Sequence, residues 1–105
     1  MTVIGKYREI YNNVNLPSVK DNINIRLENK DKILKYMKKF RPSSSAPAIV
    51  TDVISGEKLS ISLDCSNDGV YAWRSDVLYY FEKYDLRLDA DFVQHVLRQT
   101  ERSKP

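Results

Sequence analysis

Seven tyrosines, three phenylalanines and one tryptophan are the large side chains of this 105-residue chain. Most of them fall between Tyr71 and Phe92: Tyr71, Trp73, Tyr79, Tyr80, Phe81, Tyr84 and Phe92. A chain of this length supports one core, so that stretch must fill it. The run DGVYAWRSDVLYYFEKYDLRLDADFVQHVL, residues 68–97, reads as the end of a hairpin strand, a helix, an extended joint and a second helix. Asn67, Asp68 and Gly69 make the hairpin turn, because an Asp-Gly step tolerates positive φ. Ser75 is expected to cap the first helix, with Asp76 near the positive end of its dipole. Val77, Tyr80, Phe81 and Tyr84 then share a face that should pack beside Trp73. Leu86 and Leu88 flank Arg87 in the joint. Asp89 is expected to cap the last helix, where Phe92/Val93 and Val96/Leu97 repeat at i+4. The polar tail, residues 100–105, is expected to fray.

Upstream, Val3, Ile4, Tyr7, Ile10 and Tyr11 recur at helical spacing, which predicts a short helix within 2–13, weakened by Gly5. After a turn at Pro17–Ser18, Ile23, Ile25 and Leu27 alternate with polar residues, which favours a strand. Residues 29–41 predict a lysine-rich helix, with Asn29 as its cap, an apolar face of Ile33, Leu34, Met37 and Phe40, and Pro42 as its stop. APAIVTDVI, KLSISLD and VYAW predict three strands of a meander, with a turn at Ser55–Gly56–Glu57. The expected architecture is α+β: a single domain, residues 1–105, with a small three- to four-stranded antiparallel sheet packed against about four helices.

Composition narrows the function mainly by exclusion. No apolar run approaches the roughly 20 residues of a membrane span, and the first ten residues mix acid and base without the apolar segment of a secretory signal. One cysteine, Cys65, forms no internal disulfide framework and suits a reducing cytoplasm. One histidine, His95, could pair with Cys65 in nucleophilic chemistry, but one of each is what chance supplies. Asp64, Asp68 and Asp76 read more simply as turn and cap residues than as cation ligands. No metal site, cofactor motif or phosphate-cradling glycine loop is present in the sequence, and an enzyme is not expected.

The net charge of +3 hides an asymmetry: residues 1–44 carry ten Lys+Arg against four Asp+Glu, and residues 45–105 carry seven against ten. Each half could be solvated, or each could meet a partner of opposite sign. Tyr79 and Tyr80 are adjacent on one helix and cannot both face one core. Tyr79 is expected to turn toward solvent, a partner or the sheet edge. With Asp68, Asp76, Glu82 and Asp85 it would form an acidic, aromatic contact surface. The alternative surface is basic, from Lys32, Lys35, Lys38, Lys39 and Arg41, and would suit nucleic acid.

The segment DVISGEKL and the run from Asp68 resemble small bacterial proteins encoded beside polymorphic toxins. In these, a pattern DG-x-Y-x-W-x-S-D/E-L-x-Y-Y-x-E-K-Y leads into a final helix. The matching positions are Asp68, Gly69, Tyr71, Trp73, Ser75, Asp76, Tyr79, Tyr80, Glu82, Lys83 and Tyr84, and the resemblance spans about residues 50–97. It implies an immunity protein of a contact-dependent growth inhibition system. Such a protein binds a cognate toxin domain, often a nuclease, in the cytoplasm and occludes its active site or substrate path. One departure stands out: many inhibitors of basic nucleases are acidic, whereas this chain has a pI near 9.0.

Overall fold

The computed structural model describes residues 1–40, 42 and 44–102, and of these the side chains other than 44–48, 61–63 and 102. Four strands, β1 (Thr2–Val3), β2 (Ser44–Thr51), β3 (Lys58–Asn67) and β4 (Tyr71–Arg74), form one sheet in the order β1-β4-β3-β2. The helices are α1 (Arg8–Tyr11), α2 (Lys30–Lys38), α3 (Ser75–Tyr84) and α4 (Ala90–Arg102). The α+β expectation holds, with one amendment. β2, β3 and β4 are antiparallel neighbours, but β1 runs parallel to β4, Thr2 opposite Tyr71.

That fourth strand takes the start of the stretch 2–13, and the short helix expected there is confined to Arg8–Tyr11. Gly5 has φ +72, and a Cβ there would lie 2.6 Å from Cγ1 of Val77, so the chain turns where only glycine fits. The Gly5 N–H donates to Oδ1 of Asp89, 3.2 Å away. Ile4, Tyr7 and Ile10 are all buried. Of the apolar spacing, Ile4, Tyr7 and Ile10 are core residues, whereas Val3 is partly buried and Tyr11 exposed, and only Arg8–Tyr11 are helical.

No strand forms at 23–27. Asn24 adopts positive φ, and the segment hydrogen-bonds instead along the end of α3: Asn24 N to Tyr84 O at 2.8 Å, Ile25 N to Asp85 O at 3.0 Å, and Arg87 N to Asn22 O at 2.8 Å. Three helix ends also differ from expectation. α2 stops at Lys38, and the Asn29 side chain makes no capping bond. Ser75 is the first residue of α3, not its cap, and its Oγ accepts the Asp64 N–H at 3.0 Å, fastening β3 to the helix start. α4 continues through Arg102, so residues 100–102 are helical; 103–105 lie outside the described residues.

Strand alternation sorts β4 into two faces. Trp73, only 2% exposed, meets the Phe92 ring at 5.5 Å and the Phe40 ring at 5.9 Å, so α4 and the end of α2 cover that face. Arg74 points the other way, over the Tyr11 ring, with Nη1 donating to the Ile10 carbonyl at 2.8 Å. Phe81, Phe92, Ile33, Met37 and Leu86 fill the centre between helices and sheet.

Candidate functional site

Asp52 begins the turn between β2 and β3, and its residue is fully buried. Its Oδ1 accepts the N–H groups of Ile54 and Ser55 at 2.8 and 3.0 Å, and its Oδ2 accepts the hydroxyls of Tyr79 and Tyr84 at 2.6 and 2.7 Å. Burial alone would raise its pKa. The two hydroxyls and two N–H groups outweigh burial and bring it down to about 2. Tyr79, expected to face solvent, a partner or the sheet edge, is thus half-buried and clamps the hairpin to α3 through its hydroxyl. The sequence analysis did not single out Asp52. The signal was present only as a carboxylate opening a Ser-Gly turn, which reads as ordinary turn chemistry.

Asp68 is similar. Its side chain is 1% exposed, so it is not a surface carboxylate. Oδ1 accepts the Val70 and Tyr71 N–H groups at 2.9 and 2.7 Å; Oδ2 accepts the Tyr36 hydroxyl at 2.5 Å and faces His95 Nε2 at 2.8 Å. Burial raises the Asp68 pKa, but these hydrogen bonds together hold it below the usual carboxylate value. Tyr36 is pushed up, by burial first and then by Asp68. His95 packs against the Tyr71 ring at 4.9 Å on the Trp73 face. Cys65 pairs across the sheet with Arg74 and so belongs to the other face. The Cys65–His95 pairing is therefore not assembled.

Asp76 is buried and held by Arg74, whose Nη2 lies 2.9 Å from Oδ2; burial dominates and raises its pKa. The pair borders a cavity of about 300 Å³ that also touches Glu9, Ile10 and Tyr80. Arg74 is already matched to Asp76 and the Ile10 carbonyl, so the cavity offers no uncompensated cation. No group of three or more His, Cys, Asp or Glu residues that could hold a metal occurs among the described residues. No helix among them is long and apolar enough to cross a membrane.

Glu82 and Asp85 are the most exposed of the five expected contact residues that carry charge, yet both face α2. Lys38 pairs with Glu82, with both side chains about half exposed. Lys30 Nζ stands 2.7 Å from Asp85 Oδ1 and donates instead to the Glu82 carbonyl at 2.9 Å, leaving that carboxylate oxygen beside the charge without an aligned hydrogen bond. The five residues thus fall into four separate environments and share no single acidic surface. Of the basic set, Lys38 belongs to the α2–α3 seam, and Arg41 lies outside the described residues. Lys32, Lys35 and Lys39 are exposed and line a groove between α2 and α4 together with Tyr36 and Thr100. No protein family matches the chain, nor does any curated protein or solved structure.

Proposed function

We propose that this chain is a cytoplasmic immunity protein, an inhibitor that binds a cognate toxin domain and occludes its active site or substrate path. One observation carries the reading beyond the sequence resemblance: α2 and α3 are joined side by side by the largely covered Lys30–Asp85 pair and by the half-exposed Lys38–Glu82 pair, which presents one charge of each sign to solvent. A fixed pair of opposite charges on packed helices gives a protein partner complementary contacts that set its orientation and specificity. Mimicry of a nucleic acid by clustered carboxylates has little support, because Asp68 and Asp76 are buried and Glu82 and Asp85 are engaged by lysines.

Co-expression with the polypeptide encoded by the neighbouring gene tests the reading. The expected result is restored growth and a stoichiometric complex that survives about 0.5 M salt, where exposed electrostatic contacts are screened. Continued growth arrest with no complex would refute it. The exposed Lys32, Lys35 and Lys39 favour a second reading, a small nucleic-acid-binding module. That reading predicts oligonucleotide affinity that falls steeply with salt.

A further inference from the structure

We infer that the groove between α2 and α4 is the docking surface for an acidic segment of the partner protein. The inference rests on the inhibitor reading above and names the surface that does the binding. The groove encloses about 290 Å³ and is lined by Lys32, Lys35, Tyr36, Lys39 and Thr100. Positions 32, 35, 36 and 39 form one stripe of α2, and at 1.5 Å per residue its outer lysines are about 10 Å apart along the axis. A partner helix with carboxylates at i, i+3 and i+7 has the same spacing.

Three features distinguish this stripe from an ordinary solvated helix face. First, Lys32, Lys35 and Lys39 make no ion pair among the described residues, while Lys30 and Lys38 on the neighbouring seam are matched by Asp85 and Glu82. Second, the groove is preorganised. The Tyr36 ring is 5% exposed with its hydroxyl fixed on Asp68, and Lys39 Nζ lies 4.8 Å above that ring and 5.3 Å from the centre of Phe40. Third, Lys39 covers the Tyr36 face on which a base would have to stack, which favours a carboxylate ligand over a single-stranded nucleic acid.

The test uses the full chain and the polypeptide encoded by the neighbouring gene, titrated calorimetrically. The triple variant K32E/K35E/K39E should lose about tenfold or more in affinity, with an unchanged circular dichroism spectrum and a single cooperative unfolding transition. A control, K20E/K58E, reverses two exposed lysines outside the groove and should stay within about twofold. Equal binding by the triple variant and the unaltered chain would overturn the inference and leave the inhibitor reading standing. No complex with the unaltered chain would remove both. In a parallel amide-resonance titration, shifts at Lys32, Lys35 and Lys39 caused by a single-stranded oligonucleotide but not by the polypeptide would make the groove a nucleic-acid site, and would also overturn it.

Discussion

The two turns at either end of β3 use the same device with different partners. At one end Asp52 takes two turn N–H groups on one oxygen and two tyrosine hydroxyls, both from the α3 region, on the other. At the other end Asp68 takes two turn N–H groups, then one hydroxyl from α2 and one imidazole nitrogen from α4. The first clamp fixes a hairpin to a single helix. The second brings two helices onto a single turn and so sets how α2 and α4 lie relative to each other. The groove between those helices therefore depends on the Asp68 clamp and only indirectly on the Asp52 clamp.

The largest expected effect is at Asp52. D52N leaves an amide where two hydroxyls donate, and should destabilise the protein by about 3 kcal/mol in chemical denaturation. D68N should cost less, about 2 kcal/mol, because a neutral His95 can offer its Nε2 lone pair to the new amide. Equal losses would remove the distinction between the clamps.

Acid should sharpen it further. Asp52 is held near pH 2 against an ordinary 3.8, so its pKa is depressed on folding. Its contribution is then fully present above about pH 4 and is lost as pH falls through about 2. The stability gap between the unaltered chain and D52N, followed by urea unfolding from pH 6 to pH 2, should shrink by about 2 kcal/mol. Asp68 is depressed in the same direction, so the D68N gap should also shrink as the solution becomes acidic.

Smaller effects come from the donors. Y79F and Y84F should each cost about 1 kcal/mol. In double-mutant cycles each should lose most of its effect in a D52N background. At the bottom of the scale, K32E/K35E/K39E should cost no more than about 1 kcal/mol, the lost contact of the Lys39 cation with Tyr36 and Phe40, since these lysines are exposed and carry no ion pair among the described residues. A large loss there would mean that the groove is structural.

Much of the scaffold was readable from the chain because it obeys simple periodicities. The Asn67–Asp68–Gly69 turn and the apolar face of α3 each follow from one local rule. β1 was hidden because its two residues derive their strand character from β4 and from the contact of Gly5 with Val77, both remote in sequence. Residues 23–27 were misread for the converse reason: they alternate in sequence, but Ile25 is exposed and the backbone hydrogen bonds of 22–25 run to 84–87. The candidate site was less legible than the fold. Asp68, Asp76 and Tyr79 look like surface chemistry in sequence, and only tertiary placement reveals them as internal fastenings. Lys32, Lys35 and Lys39 were visible as a charged face, but their separation from Lys38 depends on Glu82 across the α2–α3 seam.

The central claim is that Asp52, Asp68 and Asp76 are internal fastenings of the fold and not surface carboxylates. Carbon-detected titration of the side-chain carboxyls tests it most directly. The account predicts Asp52 titrating near 2, Asp68 below 3.8 and Asp76 above it. If Asp52, Asp68 and Asp76 all titrated at the ordinary aspartate value, they would be solvated surface groups, and the division between scaffold and surface would be wrong.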